Sequence, residues 1–312
     1  MLHRQNYYFQ WQLAKILSQS EMNHLYTEEL KISVVIITCE RPDYLNVSLK
    51  SVFEQKFQPF EVIVIDDCSA ADYLPVLKQF SDKKINYQRL SERSGANVAR
   101  NTGVSLSIGD VVAFLDDDDA WLSDFLGSHS EHYLQDKSIG ALICGHKIMS
   151  NTSIVNINPL TVITEDELRH GNRFSGMSGF SAKRSIMLKH HFDTELKNGQ
   201  DWDLFVRLVQ HNIKFVNITK SLFLYRLATA GGITAKAKEM LIADIEPRLQ
   251  SAKKHKVWLG DKFYKKRVAE QVLSFLPLKK NKLSWIRKSI ELVGLSATFS
   301  SLLHQVKRKL LN

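Results

Sequence analysis

Thiol chemistry is scarce in these 312 residues: the cysteines are three, Cys39, Cys68 and Cys144. No CxxC pair and no His-Cys cluster with zinc-ligand spacing occurs, which excludes a disulfide framework and a structural zinc site and fits a reducing compartment. No stretch reaches the roughly 20 apolar residues of a membrane-spanning helix. Met1 to Lys31 holds no continuous apolar run followed by small residues, so a cleaved signal peptide is not expected. Internal repeats and low-complexity segments are absent. What is present is an ordinary folded composition, 44% hydrophobic and 24% charged, in a length enough for one large α/β domain with an appendage or two modest domains.

The net charge of +9 is unevenly placed. From Thr234 to Asn312 there are 18 Lys/Arg against 6 Asp/Glu, a net of +12 that leaves −3 for the rest. The basic character therefore belongs to the tail, and it suits a polyanionic partner such as a phospholipid surface or nucleic acid. Aromatic residues are not interleaved with these basic residues and no nucleic-acid motif occurs, so nucleic acid is not the expected partner.

The body alternates strands and helices. Ile32 to Ile37 is a β-branched run of the kind buried in parallel sheets, Pro42 to Phe57 has helical spacing, and Glu61 to Ile65 is a second buried strand that stops at Asp66-Asp67. A helix over Tyr73 to Phe80, a strand at Ile85 to Tyr87, a helix over Ala96 to Ser107 and a strand over Val111 to Leu115 continue the pattern. This predicts an open, doubly wound, mostly parallel sheet, whose ligands bind beyond the carboxyl ends of its strands. Further on, Gly171 to Gly179 reads as a loop, Asp201 to Gln210 as a helix and Phe215 to Ile218 as an edge strand. Ala230-Gly231-Gly232 is a joint by composition. The expected division is an amino-terminal extension (1–30), a catalytic domain (31–232) and a basic helical region (233–312), broken at Pro277.

Four aspartates, Asp116 to Asp119, follow the strand Val111 to Leu115. Carboxylates gathered at one strand end repel one another unless a cation joins them, and hard oxygen donors suit Mg²⁺ or Mn²⁺. An acidic turn that caps a helix is the plainer reading of four aspartates, but it leaves their place in a doubly wound pattern unexplained.

These elements together resemble family 2 glycosyltransferases, which have the GT-A fold. The matching stretches are SVVIITCERPDYL (Ser33 to Leu45), EVIVIDDCS (Glu61 to Ser69), GANVARNTGV (Gly95 to Val104), GDVVAFLDDDDAW (Gly109 to Trp121) and NGQDWDLFVRL (Asn198 to Leu208). The resemblance implies a nucleotide-diphosphate sugar donor. Thr38 and Glu40 would meet its base and ribose, Asp67 would accept from a pyrimidine ring N–H, and Asp117 would lie against the ribose. Asp118 would be the principal ligand of Mn²⁺ or Mg²⁺, with Asp116 as the first acid of a DxD reading. Arg100 and Asn101 match an ARN signature that closes over the nucleotide, and Arg93 is a further phosphate neighbour.

The family's general base falls on Asp201, and inversion at the anomeric carbon is the implied course. Asp203, two residues on, points to another helix face and is read as structural or acceptor-orienting. Two departures stand out: Gln200 replaces a common Glu, and Tyr225-Arg226 is followed by Leu227-Ala228-Thr229 where relatives often carry a histidine. The pair His190-His191 points apart on any regular element and is read as ordinary surface or core.

The expected role is transfer to a glycan or lipid-linked acceptor in cell-surface polysaccharide or lipopolysaccharide synthesis. The tail would dock a cytoplasmic enzyme peripherally on the inner face of the membrane, through the stripes Trp285, Ile286, Ile290 and Val293, then Leu302, Leu303, Val306 and Leu310. The competing reading of those stripes is packing on the catalytic domain. A competing function is a non-catalytic, transferase-like scaffold, favoured by Gln200 and opposed by intact Asp67, Asp118 and Asp201. A sugar-1-phosphate nucleotidyltransferase lacks support, since no glycine-rich phosphate loop follows the first strand. Oligomeric state has no signal in the sequence.

Overall fold

The computed structural model describes residues 30–227 and 237–310, the last four as backbone only. Four parallel strands form one half of a single sheet: β1 (Ile32–Thr38), β2 (Glu61–Asp66), β3 (Ile85–Arg89) and β4 (Val111–Asp116), in the order β3-β2-β1-β4. The second half continues through β8 (Phe180–Lys183), β6 (Ile139–Ile148), β9 (Lys214–Tyr225) and β5 (Ala120–Trp121), with β7 (Asn151–Asn156) beside β6. Strand β8 runs antiparallel to both neighbours, and β6 and β9 are again parallel. A mixed α/β sheet results, with a helical region after it.

Alternate residues of each inner strand feed opposite cores. Val34 and Ile36 join Leu45, Leu49 and Val52 of α1 (Pro42–Phe53) on one face, whereas Val35, Ile63 and Phe114 join Ala99 and Val104 of α3 (Ala96–Leu106) on the other. Burial on both faces is why these strands read as unbroken apolar runs, and each such side chain contributes about 1.5–3 kcal/mol. Gly103 is where α3 crosses β1, so close that a Cβ there would run into Val35.

Two expectations need correcting. Helix α1 ends at Phe53 rather than Phe57, because the next residues turn so that buried Gln55 can donate to Ser51 and Leu122 carbonyls and accept from the Leu126 N–H. Phe215 to Ile218 is no free edge: it begins β9 beside β6, its other side bonds to the chain at Thr161 to Ile163, and β5 pairs with β9 only further on, at Phe223 and Leu224. Helix α2 (Leu74–Leu77) is a single turn, prolonged by a 3₁₀ turn to Phe80. The joint Ala230-Gly231-Gly232, the domain boundary near 232, Ala228, Thr229 and the extension before Leu30 lie outside the described residues.

Helix α4 (Phe125–Gln135) covers one face, and short α5 (Glu165–Arg169) and α6 (Arg184–Met187) flank α7 (Gln200–Gln210) on the other. The basic region forms α8 (Glu246–Lys254), α9 (Lys256–Val272) and α10 (Lys282–Leu310), with a 3₁₀ turn at Leu276–Leu278 around Pro277. Leu259, Trp258 and Phe263 of α9 pack on the body, and Leu249, Val268, Val272, Trp285 and Val293 make a third core among the helices. Half of the first stripe assigned above to a membrane is thus interior: Trp285 is 4% and Val293 6% exposed. Beyond a break at Gly294, α10 instead exposes Leu295 (71%), Phe299 (62%), Leu303 (45%) and Val306 (55%) on one face.

Candidate active site

Register brings the polar strand ends into one row. Thr38 stands opposite Asp66, and Ile37 opposite Asp116, so β1, β2 and β4 discharge their acids at the same edge. The buried hydroxyl of Thr38 donates to Asp117 Oδ2 at 2.7 Å and lies 2.8 Å from the Tyr73 hydroxyl. Asp117 is itself buried, and burial pushes its carboxyl up to about 7 against the pull of Arg41 and Thr38. Arg41 forms an ion pair with Asp117 Oδ1 at 2.7 Å and donates to Asp118 Oδ2 at 3.2 Å.

The other acids of the run have different partners. Arg100 Nη2 donates to Asp116 Oδ1 at 2.6 Å. Asp119 is buried and accepts from the Arg226 N–H at 2.9 Å, and Arg226 Nε donates to the Asp118 carbonyl at 2.9 Å. Burial raises the Asp119 carboxyl well above the usual range, and the Asp118 charge adds to this. The 3₁₀ turn Met177–Gly179 closes the floor, since Ser178 accepts from the Asp116 N–H through Oγ and from Trp121 Nε1 through its carbonyl. Carboxylate oxygens of Asp116, Asp118 and Asp119 lie within 4.8 Å of one another, a set of hard donors that fits a divalent Mg²⁺ or Mn²⁺.

Asp201 approaches this cluster from the first turn of α7. Desolvation pushes its carboxyl up to about 6; the Arg100 charge pulls it down and the Asp116 charge pushes it further up. The loop Gly171 to Gly179 lines it: a Cβ on Gly176 would sit 3.5 Å from Asp201 Oδ2.

The remaining predicted residues lie around the rim. Asp67 accepts from the backbone N–H groups of Ser94 and Gly95, at 2.7 and 3.0 Å through its two oxygens. Glu40, at φ +59°, accepts from the Ala70 and Ala71 N–H groups and from Arg93, so its carboxylate ties two loops together. Asn101 turns away: its amide donates to the Phe192 carbonyl and accepts from the Phe192 N–H, both at 2.9 Å. Sequence reasoning missed Arg41, Ser178 and the Asp119 contribution to the acid cluster. Adjacent Arg41-Pro42 at a strand end and the fourth aspartate of the run were the available signals.

The profile described as Glycosyl transferase family 2 matches residues 33–193, just over half of the chain. The chain belongs to this family. It is a glycosyltransferase, with relatives in polysaccharide synthesis. It is 29% identical over 227 residues to the amylovoran biosynthesis glycosyltransferase AmsB of Erwinia amylovora, which covers 68% of this chain and 75% of AmsB. It is 24% identical to WfgD of Escherichia coli, named a UDP-Glc:alpha-D-GlcNAc-diphosphoundecaprenol beta-1,3-glucosyltransferase, over 68% of this chain and 83% of that one. Among solved structures, S. aureus TarS 1-349 with UDP-GlcNAc superposes with a TM-score of 0.64 at 17% identity, covering 87% of this chain and 84% of that one. The mannosyltransferase PcManGT of Pyrobaculum calidifontis, in complex with GDP-Man and Mn2+, gives 0.59 at 16% identity over 92% and 82%. These likenesses establish the GT-A fold expected for family 2.

Proposed function

We propose that this family 2 glycosyltransferase moves a sugar from a nucleoside-diphosphate donor to a hydroxyl of a glycan or lipid-linked acceptor, with inversion at the anomeric carbon. The observation that carries this reading is Arg100, which is bonded to Asp116 of the acid cluster and whose charge also acts on Asp201. Donor diphosphate and acceptor hydroxyl need opposite chemistries close together, and this arrangement supplies both.

Thr38, Asp67 and Asp117 are assigned to the nucleoside, with Glu40, Arg93 and Asn101 shaping the loops and helix around it. Asp116 and Asp118, joined by Asp119, would hold Mn²⁺ or Mg²⁺, whose charge neutralises the negative charge on the departing diphosphate. Asp201 takes the proton of the attacking hydroxyl: a carboxyl near 6 is ionised at neutral pH yet more basic than an ordinary aspartate. The nearby charge of Arg100 favours the ionised form of that carboxylate. Binding of UDP, UDP-GlcNAc and GDP-Man by structural neighbours supports a nucleotide-sugar donor.

The setting we propose is cell-surface polysaccharide synthesis on the inner face of the cytoplasmic membrane, with peripheral attachment. Among the described residues no helix is long and apolar enough to cross a membrane. The apolar face Leu295-Phe299-Leu303-Val306 supports attachment, together with the net +12 of the tail. A thermal-shift screen of UDP-, GDP- and dTDP-sugars with Mn²⁺, followed by the anomeric configuration of the product, tests the reading. A retained configuration, or no stabilisation by any donor, overturns it.

A further inference from the structure

Arg267 of α9 is a buried cation without an ion-pair partner among the described residues. Its side chain belongs to a residue only 9% exposed, its Nε is buried without a hydrogen-bond partner, and no described residue forms an ion pair with it. The nearest acid in sequence, Glu270, is engaged by Lys266 at 3.1 Å. Burial lowers the guanidinium to about 9 against the weaker opposing pull of the Glu270 charge, which still leaves it charged at neutral pH. A desolvated charge of this kind is destabilising unless something on its open side compensates.

The open side is defined. The guanidinium lies flat on the Trp202 ring at 3.4 Å, and Trp202 is fixed because its indole N–H donates to the Leu168 carbonyl. Stacking leaves the N–H edge of the guanidinium free, the edge that grips phosphate or carboxylate oxygens in pairs. That edge meets two glycines in left-handed conformations: Nη1 lies 3.7 Å from the place of a Cβ on Gly171, and Nη2 4.0 Å from that on Gly199. Gly199 is the cap residue of α7, no side chain caps that helix, and the buried Ser251 Oγ beside it has no hydrogen-bond partner either. A cation, an unpartnered hydroxyl and a helix amino terminus that favours negative charge thus converge two residues before Asp201.

We infer that Arg267, Ser251 and the amino terminus of α7 form an anion site for a phosphate group carried by the acceptor. The loop Gly171 to Gly176 runs from Arg267 to Asp201, so an acceptor held by its phosphate at one end presents a hydroxyl to the base at the other. The inference rests on the transferase reading only for naming the ligand an acceptor. It also gives the basic region a part in the site: α8 and α9 bring in Ser251 and Arg267, which the catalytic body lacks.

The test uses the full chain in EDTA, at constant ionic strength with chloride as the balancing anion. Inorganic pyrophosphate should raise the melting temperature of the wild type, and the shift should vanish in Arg267→Met and shrink in Arg267→Lys. Without added phosphate, Arg267→Met should melt no lower than the wild type, since it removes a buried charge that lacks an ion-pair partner. Pyrophosphate should also change wild-type tryptophan fluorescence, and that change should be lost in Trp202→Phe. A short-chain alkyl diphosphate that binds more tightly than pyrophosphate identifies a lipid-linked source, and equal binding a soluble phosphorylated one; both uphold the site. An undiminished pyrophosphate shift in Arg267→Met, or no shift and no fluorescence change in the wild type, overturns it. UDP binding with Mn²⁺ should be the same in wild type and Arg267→Met, and its absence from both would count against the transferase reading, not against the anion site.

Discussion

His255 Nε2 lies 2.7 Å from Asp203 Oδ1, a contact between the basic carboxyl-terminal helices and the helix that carries Asp201. Lys254 Nζ approaches the same oxygen at 2.8 Å, and Arg207 Nε donates to Oδ2 at 2.9 Å. Asp203 has no solvent exposure. Burial alone would raise its carboxyl, but the His255 hydrogen bond and the neighbouring charges outweigh it and hold the group at about 2. Asp203, read from sequence as structural or acceptor-orienting, is thus one joint between body and tail.

Asp203→Ala should therefore destabilise strongly, by about 3–5 kcal/mol, because it leaves cationic groups around an empty position. The sign with pH follows from a depressed carboxyl: its contribution is complete above the unfolded value of about 4 and disappears as pH falls through about 2. Urea titrations of wild type and variant at pH 7 and pH 3 measure it. Equal midpoints at pH 7 would remove Asp203 from the account of stability.

Asp201→Asn should keep donor affinity and lose transfer by about a hundredfold or more. In the wild type, activity should fall as pH drops below about 6, since the protonated acid cannot accept the hydroxyl proton. Arg100 pulls that carboxyl down, so Arg100→Met should displace the acidic limb of the kcat/KM profile to higher pH. A limb that stays in place in Arg100→Met would separate Arg100 from Asp201.

Nucleoside diphosphate affinity should depend on Mn²⁺ or Mg²⁺ and be lowered by EDTA. Asp118→Ala should abolish that dependence, because Asp118 belongs to the set of oxygens gathered within 4.8 Å. Calorimetry with UDP or GDP, with and without metal, provides the comparison. Identical affinities in all four combinations would end the metal-site reading.

Phe299→Glu together with Leu295→Glu should release the protein from anionic liposomes at low salt. Both side chains are well exposed on the outer face of α10, so the substitutions leave the packed cores intact. Trp285→Glu, by contrast, should unfold the helical region rather than act on membrane binding, since Trp285 is buried. Flotation at low and high salt, on anionic and neutral vesicles, reads the difference. Binding by the double variant equal to wild type would refute the attachment face proposed for α10.

The strands of the first half were legible because each is a short β-branched run closed by a polar cluster, and Val34, Ile63 and Phe114 sit where that pattern puts them. The acid run was legible for the same local reason. Asn101 was harder: its place in the ARN stretch suggests a nucleotide contact, but its amide is taken up by the Phe192 main chain 91 residues away. The tail misled in one respect. Helical spacing shows that Trp285 and Val293 share a side, but not whether that side meets lipid or protein.

The sequence by itself determined the alternation of buried strands and helices, the acids that close β2 and β4, and the basic tail, all of which are local patterns of residue type. Only the tertiary structure decided that Arg41 pairs with Asp117, Arg100 with Asp116, Arg226 with Asp119 and His255 with Asp203. Those pairs join residues separated by 16 to 107 positions. Sheet register and helix packing set such distances, and no periodicity along the chain encodes them.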